Sequence, residues 1–250
     1  MERVEPKMSE RIRISGKDLG AVALPGFCPR CFWIQRRAPA GLPFQSFPGI
    51  FSSIDAYTKR VVHSWIDQHQ RTPAWLDEVG PITGYREPPH HSKFSVVDSQ
   101  TDILLTGAVD GVFVRPDLSH IIIDYKTARY TSAQGALFPV YKTQLNAYAL
   151  IGEACGFSPV SALALVYAEP VTDQAAASHG TNQRNDGFAM GFAVRVVPVK
   201  LDLSTIPPLL GRVREILDLP EPPAGRTGCR DCLKIDGLLN LLRLSATVRR

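Results

Sequence analysis

The chain has 250 residues, of which 44% are apolar and 21% charged, and its formal net charge is +4. This composition is typical of a globular protein and excludes wholesale disorder, a collagen-like fibre and a long coiled coil. No apolar stretch approaches the roughly 20 residues of a membrane span, and residues 1–17 are charged and lack an apolar signal core. We therefore expect a soluble, cytoplasmic protein without a membrane partner.

The charge is distributed unevenly along the chain. Residues 1–37 and residues 226–250 each carry a net charge of +4, which leaves −4 for the middle. Basic terminal segments on either side of an acidic middle segment are typical of a protein that attracts a polyanion and guides it to a carboxylate site. Ordinary solvated surface charge would produce the same pattern, so both interpretations stay open.

Taken in chain order, the first predicted elements are helical. A polar lead-in over residues 1–18 is followed by a short helical or turn segment, Leu19–Arg37, and by a Pro/Gly-rich loop, Ala38–Gly49. Apolar residues recur at helical spacing in Ser53–Gln70, which predicts an amphipathic helix that Pro73 ends.

From residue 94 onward the apolar period changes to two, which is typical of β-strands. Three successive strands are predicted over Phe94–Val97, Ile103–Val114 and Ile121–Tyr125. A helix over Tyr141–Cys155 comes next, and a continuous apolar run predicts a buried strand over Ser161–Tyr167.

The C-terminal part is predicted to begin with a polar loop over Asp173–Gly187 and an alternating strand over Phe188–Val196. A helix over Leu203–Leu219 follows, broken by Pro207 and Pro208. Helix, three strands, helix, two strands and helix together predict an α/β fold, with a mixed central β-sheet flanked by helices.

Four of the five cysteines form two C-x-x-C pairs, Cys28 with Cys31 and Cys229 with Cys232. Without a secretory signal, metal binding is favoured over disulfides. Four thiolates are a complete ligand set for Zn²⁺ or for an iron–sulfur cluster, and one shared site would join the N- and C-terminal segments. Two unrelated thiol pairs are the alternative. Cys155 stands alone in an apolar helical context and is interpreted as a core residue.

The most informative stretch is residues 106–127. Asp124 and Lys126 are two apart on a predicted strand, so their side chains share one face. Asp110 lies on the preceding strand of a predicted hairpin and can meet them. Two converging carboxylates suit Mg²⁺ or Mn²⁺, and a lysine beside them can orient water or stabilise charge on a phosphate. A salt bridge at a sheet edge is the alternative.

Two helices carry further candidate residues. Gln144 and Tyr148 are four residues apart, so they share a helix face and can bind a phosphate or a catalytic carboxylate. An ordinary amphipathic helix would also explain them. His63 lies away from the centre of the apolar face of its helix, where a metal ligand and an exposed histidine are both plausible.

The motifs G-A-V-D, I-I-D-Y-K-T and Q-L-N-A-Y together resemble those of the PD-(D/E)XK nuclease superfamily. They are most similar to its RecB-like branch, which includes the CRISPR-associated RecB-like exonucleases and AddAB-type nuclease domains. The resemblance implies a restriction-endonuclease-like core. It also implies the following roles: metal ligands Asp110, Asp124 and His63, catalytic lysine Lys126, and substrate-facing residues Gln144 and Tyr148.

The same resemblance bears on the cysteines. Many members of this branch hold a 4Fe–4S cluster with one cysteine before the nuclease core and three after it, whereas this chain has two before and two after. The flanking location matches the family and the spacing does not. We expect a 4Fe–4S cluster at these cysteines, with Zn²⁺ as the alternative that thiolate chemistry also allows.

The resemblance implies a metal-dependent DNA nuclease, specifically an exonuclease acting on single-stranded DNA or DNA ends. We expect one nuclease domain over residues 1–250, with a core of about 50–200 and cysteine-bearing flanks of about 19–37 and 225–250. Candidate phosphate contacts beside the first cysteine pair are Arg30, Arg36 and Arg37.

Partners in a DNA repair, recombination or CRISPR adaptation complex would fit such a nuclease. Two alternatives remain open at this point. One is a catalytically inactive, cysteine-stapled subunit that binds nucleic acid or supports assembly, and the other is a zinc-stapled scaffold without nucleic acid.

Overall fold

Helices and strands alternate along the chain in the computed structural model, which describes residues 11–38 and 49–247. The first half contains β1 (Arg13–Ser15), α1 (Gly16–Val22), α2 (Pro29–Arg37), α3 (Ile50–His69), a 3₁₀ helix (Ala74–Val79), β2 (Gly84–Arg86), β3 (Ser95–Asp98), β4 (Ile103–Thr106), β5 (Gly111–Val114) and β6 (His120–Lys126). The second half contains α4 (Ser132–Ala154), β7 (Val160–Pro170), α5 (Gln174–Ser178), β8 (Gln183–Arg184), β9 (Gly187–Phe188), β10 (Phe192–Val199), a 3₁₀ helix (Leu203–Thr205), α6 (Ile206–Leu217) and α7 (Arg230–Thr247).

A five-stranded mixed sheet in the order β10-β7-β6-β5-β2 forms the centre of the molecule. Strands β6 and β7 run parallel, with α4 as the crossover between them, and the other neighbouring strands run antiparallel. A smaller sheet in the order β1-β4-β3 and a short β8-β9 hairpin accompany it. The predicted α/β fold with a mixed central sheet flanked by helices is confirmed.

Both faces of strand β6 are buried, each against a different apolar cluster. Ile121, Ile123 and Tyr125 pack with residues of α3 and the first 3₁₀ helix, as the period-two pattern predicts. Ile122 packs on the opposite face, with residues of α1, α4 and α6. Because Asp124 has the same parity as Ile122, its carboxylate is directed to the α4 side of the sheet.

The predicted strand Ile103–Val114 is wrong as one element, because it consists of β4 in the small sheet and β5 in the central sheet. The interruption includes Gly107, where a Cβ atom would lie 2.7 Å from the ring of Tyr148. Close packing of the backbone against this ring requires glycine and diverts the chain. Asp110 therefore lies immediately before β5, rather than within a strand.

Several predicted boundaries also differ. The N-terminal lead-in contains β1 and the start of α1, and α4 begins at Ser132, nine residues before the predicted start. The predicted strand Phe188–Val196 is divided between β9 and β10, and the loop before it contains α5. Pro207 and Pro208 occupy the first turn of α6 and begin that helix, since proline is favoured there and does not interrupt the backbone hydrogen bonds.

Two sequence predictions fall partly on residues outside the described ranges. These are the polar lead-in, for residues 1–10, and the loop Ala38–Gly49, for residues 39–48. Within the described part of the chain, no helix combines the length and the apolar character that crossing a membrane requires.

Candidate active site and cysteine cluster

Two carboxylates meet where β5 begins and β6 ends. The antiparallel register pairs Gly111 with Ile123, which sets Asp110 beside Asp124 on the neighbouring strand. The Asp110 carboxylate accepts a hydrogen bond from the backbone N–H of Tyr125 at 2.9 Å. Asp124 is almost fully buried, with 2% of its surface exposed.

Burial and mutual repulsion act on both carboxylates. Burial and, next, the neighbouring charge of Asp124 raise the pKa of Asp110 to about 7, against the opposing effects of the Tyr125 N–H and Lys126. Burial also raises the pKa of Asp124, although Lys126 favours its ionised form. A divalent cation would relieve both costs, so this donor set fits Mg²⁺ or Mn²⁺.

Lys126 extends from β6 into the same site. Its ammonium group forms an ion pair with the Asp124 carboxylate and lies over the ring of Tyr141, 4.8 Å from the ring centre. The Asp124 carboxylate, on β6, and the aromatic ring of Tyr141, on helix α4, therefore hold the Lys126 side chain in place. Sequence analysis missed Tyr141, because a tyrosine in an amphipathic helix carries no signal of its own.

Helix α4 also supplies a hydrogen-bonded pair behind Asp124. The amide group of Gln144 donates to the Asp124 carboxylate at 3.0 Å and to the Tyr148 hydroxyl at 2.9 Å. Both residues are 5% exposed, so they contact the carboxylate from the protein side rather than from solvent. Burial raises the pKa of Tyr148, which keeps its hydroxyl protonated.

A third carboxylate, Asp55, approaches from helix α3. It lines a cavity of about 310 Å³ together with Asp110 and Lys59, and it accepts a hydrogen bond from the Thr127 hydroxyl at 2.7 Å. Its charge contributes to the raised pKa of Asp110. Sequence analysis missed Asp55 because the exposed face of α3 carries many polar residues. The only available signal was its spacing of four and eight residues from Lys59 and His63.

His63 is buried, so the exposed-histidine interpretation is wrong. Its ring stacks on Tyr85 at 3.7 Å, and Nδ1 lies 3.1 Å from the Glu87 carboxylate. Burial lowers the pKa of His63 and favours the neutral imidazole. Its Nε2 atom has no hydrogen-bond partner among the described residues. The ligand atoms of His63 and the two aspartates do not all come within 4.8 Å of one another.

The four paired cysteines meet in one cluster. Within residues 11–38 and 49–247, their Sγ atoms form the one group of metal-ligand atoms that all lie within 4.8 Å of one another. Neighbouring sulfurs are 3.4 to 3.7 Å apart. Cys28 and Cys229 immediately precede α2 and α7, so the cluster joins the N- and C-terminal segments as predicted.

The surroundings of the cluster favour bound metal. Burial opposes ionisation of Cys28, yet backbone N–H groups, including that of Arg226 at 3.3 Å, bring its pKa down to about 6. Burial and neighbouring thiols raise the pKa of Cys31, so a bound cation would favour its thiolate form. Gly225 packs against the cluster, because a Cβ there would lie 2.8 Å from the Cys232 sulfur.

Cys155 lies apart from this cluster, at the C-terminal end of α4. It is partly buried and packs against the larger apolar cluster, with its sulfur 3.8 Å from the carbonyl oxygen of Lys93, so it lies at the edge of the core rather than at its centre. Its helix ends there, which leaves the side chain at the margin of the apolar cluster.

A model of the PD-(D/E)XK nuclease superfamily matches residues 45–233, which is most of the chain. The protein belongs to the PD-(D/E)XK nuclease superfamily. No curated protein sequence matches it. A solved structure described as "Crystal structure of SSO0001" has 15% sequence identity and a TM-score of 0.38, over 87% of this chain and 82% of that one.

Membership in the PD-(D/E)XK superfamily implies nuclease activity and a nucleic-acid substrate. Nucleases of this superfamily typically use Mg²⁺ or Mn²⁺, which agrees with the carboxylate site described above. The matched region contains that site and both cysteines of the second C-x-x-C pair.

The three arginines singled out beside the first cysteine pair have different surroundings. Arg30 forms a two-point ion pair with Asp236, at 3.0 and 2.6 Å, which links α2 to α7 beside the cysteines. Arg36 and Arg37 instead line a separate cavity at the C-terminal end of α2, with the N-terminal strand and α6.

Proposed function

We propose that this PD-(D/E)XK nuclease is a metal-dependent deoxyribonuclease of the RecB-like branch. The observation that supports it most directly is the convergence of Asp110, Asp124 and Lys126 at the end of β6, with Gln144 bonded to Asp124. A structural salt bridge would need Lys126 and Asp124 alone. It would not explain a second carboxylate with a strongly raised pKa beside them.

Each side chain has a distinct role in this proposal. Asp110 and Asp124 would hold Mg²⁺ or Mn²⁺, and a bound ion would supply polarisation of a phosphate and a lowered pKa for a water molecule. Lys126 provides positive charge where negative charge develops on the phosphate. Gln144 fixes the orientation of the Asp124 carboxylate, and Tyr148 fixes Gln144. Asp55 and His63 are further candidates for contact with metal.

We propose single-stranded DNA or DNA ends as the substrate and exonucleolytic cleavage as the mode. The motif resemblance to RecB-like exonucleases supports this proposal. Residues 1–250 would then act as one nuclease domain, within a DNA repair, recombination or CRISPR adaptation complex.

At the cysteines we propose a single Zn²⁺ rather than a 4Fe–4S cluster. Four sulfurs that bind one ion with bonds of about 2.3 Å lie about 3.8 Å apart in a tetrahedron. In a 4Fe–4S cluster each sulfur binds a different iron, which separates the sulfurs by on the order of 6 Å. The observed separations, none above 4.8 Å, support the mononuclear site.

A cleavage assay tests the nuclease proposal. Fluorescently labelled single-stranded DNA should be degraded with Mn²⁺ and remain intact with EDTA, and Asp124→Asn should be inactive while retaining its fold. Binding without cleavage under every metal condition would instead support the inactive, cysteine-stapled subunit. Labelling the two ends of the DNA in turn distinguishes exonucleolytic from endonucleolytic cleavage.

A further inference from the structure

Five arginines surround a second cavity, of about 600 Å³, where β1, α2 and α6 meet. We call this cavity the arginine groove. Its other described lining residues are Ile12, Leu217 and Asp218, so one carboxylate lines it within the described part of the chain. The five arginines are Arg11, Arg13, Arg36, Arg37 and Arg214.

Ion pairs neutralise only some of these charges. Three of the arginines have a carboxylate partner: Arg11 with Asp102 at 2.8 Å, Arg36 with Asp18 at 3.4 Å, and Arg214 with Asp218 at 3.3 Å. Arg13 and Arg37 have no carboxylate partner among the described residues. The groove therefore keeps two uncompensated positive charges, and converging like charges are unfavourable without an anion.

Main-chain carbonyl groups fix two of the guanidinium groups without neutralising them. Arg37 donates to the carbonyl oxygen of Leu217 at 2.6 Å and lies over the ring of Trp33, 5.2 Å from its centre. Arg36 donates to the carbonyl oxygen of Arg13. The charges are thus held in place in advance, which reduces the entropy lost when an anion binds.

Capping of α6 is the simplest structural explanation for one of these contacts. Arg37 bonds the last carbonyl of that helix, which basic side chains often do. Capping does not account for Arg13, which lies on β1, is exposed and makes no side-chain hydrogen bond among the described residues. Neither helix capping nor an ion pair among the described residues accounts for Arg13 at this cavity.

A short path of chain and packing contacts links the groove to the residues that support Asp124. Arg13 is three residues before Gly16, so their Cα atoms are at most about 11 Å apart. Gly16 packs on the ring of Tyr148, since a Cβ there would lie 3.0 Å from a ring carbon. Tyr148 in turn is hydrogen-bonded to Gln144, the partner of Asp124.

We propose that the arginine groove binds backbone phosphates of the DNA strand whose scissile bond lies at Asp110 and Asp124. This inference rests on the proposed function and deepens it, because it assigns a binding surface beyond the carboxylates. Guanidinium groups recognise phosphate oxygens without reading bases, so the groove contributes affinity independent of sequence.

The test measures binding of a labelled single strand in EDTA, where cleavage does not occur, by fluorescence anisotropy. Arg13→Ala should weaken binding about three- to tenfold, and Arg13→Glu should weaken it more. The slope of log Kd against log salt should fall by about 0.7 for each phosphate that the variant no longer binds. Arg71→Ala removes an equal charge from an exposed position that lines none of the described cavities, and should leave both quantities unchanged.

Wild-type affinity and salt slope in Arg13→Ala and Arg13→Glu would overturn the proposal. A groove built for a small polyphosphate would instead bind inorganic pyrophosphate tightly and lose it in Arg13→Ala, with DNA binding intact, and that result also rejects the strand assignment. The nuclease proposal fails separately, if the wild type binds DNA through Arg13 but never cleaves it with Mn²⁺.

Discussion

The side-chain amide of Gln144 donates a hydrogen bond to the Asp124 carboxylate at 3.0 Å, which links helix α4 to the end of strand β6. The same amide donates to the Tyr148 hydroxyl. One residue thus fixes the orientation of the carboxylate that is most deeply buried in the site. Asp124 remains available to Lys126 and to a cation through its other oxygen.

Replacing Gln144 by Leu tests this orientation. The change leaves one buried carboxylate oxygen without its donor, which costs about 1–3 kcal/mol at the site. We expect kcat to fall about 10- to 100-fold with little change in KM, because substrate binding does not depend on Gln144 alone. Gln68→Leu, on the exposed side of α3, is the matched control and should not change kcat. A changed KM with unchanged kcat would contradict the positioning role.

Replacing Tyr141 tests the aromatic support of Lys126. Tyr141→Phe keeps an aromatic ring under the ammonium group, whereas Tyr141→Leu removes it. The ring contact contributes about 0.5–2 kcal/mol, so we expect kcat to drop by roughly 2- to 30-fold in Tyr141→Leu and to stay near wild type in Tyr141→Phe. Equal losses in the two variants would assign the effect to the hydroxyl instead.

The buried charge of Asp110 predicts a pH-dependent stability. Its pKa is raised from about 3.8 to about 7, so the folded protein holds a proton that the unfolded chain has already lost. Without divalent metal, stability should therefore fall as the pH rises from about 4 to about 7. Asp110→Asn keeps an acceptor for the Tyr125 N–H and removes the charge. At about pH 8 it should be more stable than wild type by roughly 1–3 kcal/mol.

Metal addition provides the control for this prediction. Mg²⁺ should raise the thermal midpoint of the wild type at about pH 8 and leave that of Asp110→Asn nearly unchanged, since only the wild type offers both carboxylates. Chemical denaturation at several pH values measures the first effect, and a thermal melt with and without Mg²⁺ measures the second. A pH-independent difference between the two proteins would reject the raised pKa.

The cysteine cluster should bind one Zn²⁺ per chain. Elemental analysis should find zinc near one equivalent, and the purified protein should lack the brown colour of an iron–sulfur cluster. Cys229→Ser should lose the metal and several kcal/mol of stability, because Cys31 and Cys229 are 198 residues apart and their link constrains the unfolded chain. Cys155→Ala should retain the zinc. Four irons per chain with a visible absorbance band would contradict the mononuclear site.

Local pattern was enough to predict the fold class and the shared face of Asp124 and Lys126. Strand alternation and helix periodicity depend on neighbouring residues, so they can be read from sequence. The division of Ile103–Val114 into two strands could not be predicted in this way. It depends on packing of Gly107 against Tyr148, a residue 41 positions later in the chain. Tertiary contacts of this kind leave no local period.

The site was predicted less completely than the fold. The helical period of α3 predicts an apolar face and a polar face. It does not predict which residues of other elements cover His63. Strand β2 then covers that histidine with Tyr85, which is what buries it. Asp55 was missed for the related reason that its importance comes from Asp110 and Thr127, which reach it from the central sheet.

The initial rate of Mn²⁺-dependent cleavage of single-stranded DNA, compared among the wild type, Asp124→Asn and Lys126→Ala, tests the central claim most directly. Cleavage that is abolished by EDTA and reduced at least ~100-fold in both variants, while circular dichroism shows that both are folded, is the predicted result. Wild-type rates in either variant, or cleavage that persists in EDTA, would contradict a nuclease site built from Asp110, Asp124 and Lys126.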